Sequence, residues 1–395
     1  MAKKNSKKTV PDLRFRGFTD PWEQRQLGEV ALFSKGQGYS KADLRPSGSP
    51  AFLYGQMYTD YRLSITDSNQ YLPQGSKGIF STSGDVIVPA SGESAQEIAI
   101  ASVVEKAGIL LGGDLNIIKP NETILDSTFL ALNASGGKLH NNLAARAQGK
   151  TIVHLHNPDI ASSPIKFPTI PEQRLIGEFF STLDSLIAAA ERQEDLLKQK
   201  KQAYLQLMFP QGGENEPRLR FAGFSGEWEQ RRFGEIFQYE RPDAYLAGDD
   251  EIEDEGAIPV LTANKAFILG YTNSFQGIYQ KGRCIIFDDF TLDSKRVEHP
   301  FKVRSSAIKI LTVRENMDFD FAFELLRTSK FPLLGHARHY ITVVQPQAAL
   351  IPHSLQEQQH IGRFFRNFDS LIAAAEKRAA SLRALKSAYL QRMFV

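Results

Sequence analysis

The sequence predicts a mixed α/β protein made by tandem duplication. Two globular bodies are joined by two long helices, and the helices pair as an antiparallel coiled coil. Two repeats and one contrast carry this reading. Glu172–Phe209 recurs without gaps at Glu357–Phe394, with 22 of 38 positions identical. Pro11–Ala31 recurs at Pro217–Phe237, with 12 of 21 identical. The bodies that follow the two headers, about 32–169 and 238–354, share little sequence. A header, a variable body and a long helix, repeated in the same order, mark a duplication.

Each long segment contains no proline and a single early glycine, Gly177 or Gly362. In the first, Ile176, Phe180, Leu183, Ile187, Ala190, Leu197, Tyr204 and Met208 follow each other at steps of three and four, interrupted by Glu194 and Lys201. In the second the seam is Ile361, Phe365, Phe368, Ile372, Ala375, Ala379, Leu382, Tyr389 and Met393, broken at Lys386. A period near 3.5 residues is the narrow stripe of a coiled coil. A helix of this length extends roughly 55 Å at about 1.5 Å per residue, too far for one small domain to cover. Each seam therefore needs a partner helix, and the other copy is the natural one. The competing interpretation, two separate amphipathic helices each buried in its own domain, does not require near-identical seams.

The headers share Leu13/Leu219, Phe15/Phe221, Phe18/Phe224, Trp22/Trp228 and Gly28/Gly234. The expected division is a basic tail at 1–10, a first domain at 11–169, a long helix at 170–209, a polar Gly- and Pro-containing linker at 210–216, a second domain at 217–354 and a second long helix at 355–395. Each body shows a Pro-led apolar piece, from Pro50 and from Pro259. A β-branched strand then runs into a polar turn, within 85–96 and within 283–295. Small helices are expected near 126–133 and 319–328. Short strands are expected within 146–155 and 336–344. The pattern is that of an α/β domain of about 150 residues.

The 395 residues suffice for two or three cores. There is no run of 18 apolar residues and no secretory leader, so a cytoplasmic protein without a membrane span is expected. The single cysteine, Cys284, excludes an intramolecular disulfide and speaks against a thiolate metal site. The net charge of +2 decides nothing about nucleic acid. The acidic run 249–255 reads as a solvated loop that would avoid phosphates.

Catalytic signatures are missing. There is no phosphate-cradling glycine loop, and Gly112-Gly113 lacks dinucleotide spacing. There is no adenine-methylating motif and no nucleophile elbow. The pairs His154/His156 and His336/His339 lack the neighbours a zinc site needs. Asp85, Glu93, Asp288 and Asp289 lie near strand ends, but in the first body no lysine follows at the close spacing of a nuclease centre. The expectation is a binding device, with no catalytic residues and no metal.

The polar turns are rich in residue types that contact DNA. In the first body these are Lys35, Tyr39, Lys41, Arg45, Tyr54, Gln56, Tyr58, Ser91, Ser94, Gln96, Arg146, Gln148 and Lys150. In the second they are Asn264, Lys265, Thr291, Ser294, Lys295, Arg338 and His339. Lysine and arginine neutralise phosphates, while Asn, Gln and Arg pair with base edges. For any one residue, an ordinary solvated loop is an equally good account.

The paired headers (LRF-GF and WEQR, 13–29 and 219–235) and the paired helix starts (171–191 and 355–376, both with DSLIAAAE) resemble the specificity subunit of Type I restriction–modification systems. The resemblance covers the whole chain. It implies that each body is a target-recognition domain reading one half of a bipartite, asymmetric site on double-stranded DNA. It implies that the helix pair sets the gap and docks two modification (methyltransferase) subunits, and that two restriction (motor–nuclease) subunits complete the assembly. S-adenosylmethionine, ATP and Mg²⁺ then belong to those partners and none to this non-catalytic chain. Recognition domains vary within the family, so base-contacting residues do not transfer. The alternative is a stand-alone bivalent DNA-binding regulator without enzyme partners.

Overall fold

The computed structural model describes residues 10–262, 267–332 and 339–394. Among these, four helices reach ten residues or more. They are α1 (Ser127–Gly136), α2 (Ile170–Met208), α3 (Phe319–Thr328) and α4 (Leu355–Met393). The chain forms two compact units. One holds the residues up to Glu191 together with those from Lys377 onward, and the other is Arg192–Glu376. Each long helix thus begins in one unit and ends in the other.

In the first unit a five-stranded sheet runs in the order Ala31–Lys35, Leu115–Pro120, Asp85–Pro89, Ser102–Val104, Ser64–Ile65. A four-stranded sheet runs Gln70–Leu72, Ser49–Phe52, Leu110–Leu111, Ile79–Phe80. The central strand Asp85–Pro89 is buried along its whole length, which explains its continuous apolar character. In the second unit a four-stranded sheet runs Phe237–Glu240, Ile308–Val313, Cys284–Asp288, Ser294–Val297. A three-stranded sheet runs Ile268–Thr272, Ile258–Leu261, Lys302–Val303. The neighbours, and the antiparallel or parallel sense of each shared pairing, match between the units. Two bodies of unlike sequence therefore share one topology.

The small helices start where an aspartate can cap them. Asp126 accepts from the Phe129 N–H at 2.9 Å, and Asp318 accepts from the Phe321 N–H at 2.8 Å. One expectation fails. The β-branched run Tyr340–Val344 is a wide helical turn, closed by Gln345 N–H donating to the Tyr340 carbonyl at 2.8 Å, and not a strand. Tertiary contacts override local propensity here. The Tyr340 ring is fully buried, 5.4 Å from both Tyr239 and Phe287, and its N–H donates to Asp289 Oδ1 at 2.7 Å. The acidic run is exposed over most of its length, as expected, with Glu251 pairing with Lys302 at 2.5 Å and Asp249 with Arg304.

The repeated EQ at each helix start has a structural use. Glu172 is fully buried and receives both Nε and NH2 of Arg14 at 2.7 Å; Glu357 does the same for Arg220 at 2.7 and 2.8 Å. The pair ties header to helix in each repeat. Gln173 accepts from the Asp126 N–H at 2.8 Å and Gln358 accepts from the Asp318 N–H at 3.0 Å, so each glutamine holds the cap of the small helix. The early glycine lets that cap approach. A Cβ on Gly362 would sit 2.7 Å from the Phe321 nitrogen, whereas on Gly177 the nearest atom would be Thr128 Cγ2 at 3.2 Å.

Within each unit, segments of α2 and α4 run antiparallel. In the first, Phe179 meets Tyr389 at 5.0 Å, Asp184 meets Lys386 at 2.5 Å, and Glu191 meets Arg383. In the second, Phe364 meets Tyr204 at 5.1 Å, Asp369 meets Lys201 at 2.6 Å, and Glu376 meets Lys198 at 2.9 Å. Adding the repeat offset of 185 to each α2 residue of the first set, and subtracting it from each α4 residue, yields the second set with the helices exchanged. The seam lysines that broke the apolar pattern are the residues that find aspartates. Lys201 has a second partner, the buried Glu324, at 2.8 Å. Burial raises the Glu324 carboxyl above its usual range. The first unit carries Leu132 at the equivalent position.

Two stability outcomes follow for chemical denaturation. Gly362→Ala loses about 2 kcal/mol, because the new methyl displaces a helix cap, while Gly177→Ala stays within about 1 kcal/mol, because alanine's helix preference offsets the tight contact. Lys201→Ala loses about 3 kcal/mol by taking from the buried Glu324 its nearer cation and leaving Arg296 at 3.6 Å, and adding Glu324→Leu recovers most of that loss.

Candidate nucleic-acid interface

The predicted seam residues take two kinds of place. Ile176, Phe180 and Leu183 lie in the core of the first unit with Trp22, Phe129 and Phe394, and Leu382 and Tyr389 pack against it. Ile361 and Phe365 lie in the core of the second with Phe209, Trp228 and Phe321, and Tyr204 packs against it. Ile187 is buried, whereas Leu197 and Ile372 are half-buried. The helix ends are thus rooted in domain cores, and the lengths between are held by the opposite helix.

In the first body the structure gathers several predicted DNA contacts around one ribbon. Ser91–Gly92 pairs antiparallel with Val153–His154. Tyr58 is exposed and donates to the Ser91 carbonyl at 2.8 Å. Ser91 Oγ lies 3.1 Å from His154 Nδ1, and Gln148 bridges His154 through the backbone. Ser94 caps the short turn Ala95–Ile98, and Gln96 on that turn meets His140 Nε2 at 2.8 Å. Tyr54 packs edge-on against Tyr58. Desolvation raises the Tyr58 phenol above its ordinary range, and it pushes Tyr61 up to about 12. Both therefore stay protonated donors at neutral pH. Lys150 is exposed two residues beyond Gln148.

Lys35 ends the strand Ala31–Lys35, and Tyr39, Lys41 and Arg45 lie on the separate loop that follows it. Tyr39 sits at φ 55° and donates to the Lys77 carbonyl at 2.9 Å. Lys35 lies 3.9 Å from Asp114, Arg45 donates to the Ala42 and Leu44 carbonyls, and Lys41 is exposed. Arg146 is turned to Ser162.

Burial corrects three expectations. Gln56 is internal and donates to Asn69 Oδ1 at 2.6 Å. Ser294 is buried in its strand. His339 is fully buried beside the Asp289 carbonyl, and Asp289 itself pairs with the buried Lys309 at 3.1 Å. These side chains serve the fold. On the surface of the second body, Thr291 is exposed on a turn, and Lys295 lies 4.8 Å over the Phe267 ring, half-buried. Asn264, Lys265 and Arg338 lie outside the described residues, as do 1–9 of the basic tail.

Among the described residues no group of three or more His, Cys, Asp or Glu is placed to hold a metal. Asp85 accepts from Thr82 and Asp288 accepts from the Phe290 N–H, both in local turns. Burial pushes the Cys284 thiol up to about 12, far from a reactive thiolate. No helix among the described residues is long and apolar enough to cross a membrane. Sequence reasoning missed Arg14, Arg220, Glu172 and Glu357 as the clamps of the architecture. Their signal was present as identity at both repeats.

The fold defines a class: tandem-repeat α/β proteins with two long helices whose segments pair antiparallel within each unit. Comparison with known proteins narrows it. A family model described as the Type I restriction modification DNA specificity domain matches residues 19–199. The EcoR124I/EcoR124II specificity subunit of Escherichia coli is 39% identical over 163 residues, covering 38% of this chain and 40% of that protein. The MjaVIII specificity subunit of Methanocaldococcus jannaschii is 20% identical over 397 residues, covering 93% of this chain and 90% of that protein. A crystal structure of a Type I restriction–modification S subunit from M. genitalium shares the fold with a TM-score of 0.69 at 16% identity, over 98% of this chain and 99% of that one. A structure concerned with complex assembly of the type I R–M system matches with a TM-score of 0.52 at 16% identity, over 93% and 96%. Residues 19–199 are thus similar to the Type I restriction modification DNA specificity domain, and the chain as a whole shares its fold with a solved S subunit, while it spans less than half of the Escherichia coli relative.

Proposed function

We propose that the chain is the DNA-recognition subunit of a Type I restriction–modification complex. Each body reads one half of a bipartite, asymmetric site on double-stranded DNA, and the α2–α4 pair sets the gap. The observation that supports this best is the exchange of contacts under the 185-residue offset. One rod pairing is kept in both repeats, while the two bodies keep a topology and change their surfaces. A constant spacer with unlike heads suits a split, asymmetric target.

Half-sites on one face of DNA lie about one turn, roughly 34 Å, apart, a distance that helices of roughly 55 Å can accommodate. Joining two weak heads raises affinity through effective concentration without any new contact. The exposed helix faces are the docking surfaces for two methyltransferase subunits, which bring S-adenosylmethionine. Two motor–nuclease subunits bring ATP and Mg²⁺. One of the matching structures is described in terms of assembly of the type I system, which is in line with such partners. The complex acts in the cytoplasm.

Methylation sequencing of a host carrying the complex is expected to show N6-methyladenine in a two-part motif with a fixed gap, lost when this chain is deleted. Unchanged methylation after deletion refutes the proposal. Failure to co-purify a methyltransferase would favour a stand-alone regulator. A second outcome concerns the gap. Seven residues inserted after Glu194, with a matching insertion after its offset equivalent Ala379, lengthen the rods by about 10 Å. The gap then grows by about three base pairs at roughly 3.4 Å each, and the letters of both halves stay the same. Altered letters would contradict the spacer role.

A further inference from the structure

The hairpin Gln148–His154 and the residue pair that ends it assign a reading edge to the first body. Gln148 N–H donates to the His154 carbonyl at 2.9 Å, and His154 N–H donates back to the Gln148 carbonyl at 2.7 Å. Gly149 closes the hairpin at φ +135°, where a side chain would strike the Ile152 and Val153 backbone. Beyond it the side chains alternate. Val153 and Leu155 are buried, while His154 and His156 face outward on the same side of the strand. Their rings are stacked 6.1 Å apart and parallel to within 3°. His154 and the intervening Leu155 are held from behind, while His156 caps the turn Asn157–Ala161, its N–H donating to Asp159 Oδ2 at 3.4 Å. Ser91 engages His154 Nδ1, Leu155 N–H donates to the Ala90 carbonyl at 3.1 Å, and Asn116 Nδ2 donates to the Leu155 carbonyl at 2.7 Å.

This geometry suits bases. A two-stranded ribbon fits the major groove. With Nδ1 of His154 occupied, its Nε2 edge faces outward. Consecutive bases on a strand rise about 3.4 Å, so two steps span about 6.8 Å, close to the ring separation. A metal would need further ligands, and among the described residues no such group exists. We propose that His154 and His156 are base-reading residues of the first body. They present imidazole edges to base pairs two steps apart, and Lys150 at the hairpin tip neutralises a phosphate.

The proposal rests on the reading of the chain as a DNA-recognition subunit, and one experiment separates the two. The wild-type complex and the variants His154→Ala, His156→Ala, Ser91→Ala and Lys150→Ala are each expressed in a host deleted for this chain, and the methylated motif is sequenced. Each histidine variant is expected to relax one letter of the same half-site by about tenfold, the two letters lying two positions apart, with the other half unchanged. Ser91→Ala weakens the His154 letter only. Lys150→Ala lowers methylation at every site without altering a letter. Unchanged letters in both histidine variants overturn the proposal. So does loss of all methylation or of co-purifying partners, which would make the pair structural. A wild-type complex with no two-part motif would instead overturn the underlying reading.

Discussion

The architecture depends on a lysine placed in an apolar stripe. Lys201 and Lys386 each interrupt a seam of aliphatic and aromatic residues, where an unpaired ammonium would be costly. Each is relieved by an aspartate of the opposite helix, Asp369 or Asp184. A helix pair shifted by a turn, or turned parallel, would leave both lysines and both aspartates without these partners. A polar group in a seam commonly specifies register at some expense of stability. Here the two charged pairs fix the antiparallel direction and the alignment together. The outer pairs Lys198–Glu376 and Arg383–Glu191 are exposed and add little energy in water. They share the same alignment.

Around that axis the two repeats solve the same joint with the same parts. A buried Arg–Glu clamp ties header to helix, a glutamine holds the cap of the small helix, and the terminal Phe209 or Phe394 packs against Trp228 or Trp22. The joints then differ in chemistry. In the second unit Arg296 reaches Asp320 and Asp369, and Arg366 reaches Asp320 and Glu298, so the domain meets the helix through a charged network. In the first unit Leu132 and Thr128 stand at the positions of Glu324 and Asp320, and that joint is largely apolar. The second joint is accordingly the more sensitive to salt.

Much of this was legible from residue order. The duplication, the long helices, the seam and the small capped helices all rest on local signals: repeated identity, period, proline-free runs and a capping aspartate. The run Tyr340–Val344 was misread because β-branched residues favour strands only when nothing else decides. Here a buried aromatic ring and the Asp289 carboxylate decide. The surface list was legible in part. Tyr58, Ser91, Gln96, Gln148 and Lys150 cluster on or beside one ribbon, whereas Gln56, Ser294 and His339 are interior. Composition cannot tell a polar side chain that faces solvent from one that satisfies a buried partner.

By itself, then, the order of residues determined that the chain is a doubled unit with two rods of matching pattern, since periodicity and repetition are properties of a line. Only the tertiary structure decided which charges meet across the rods and that two unlike bodies share one strand order. It alone set Ser91 beside His154. These are relations between residues far apart in the chain. They are settled by packing and by the need of each buried polar group for a partner, and neither leaves a local trace in the sequence.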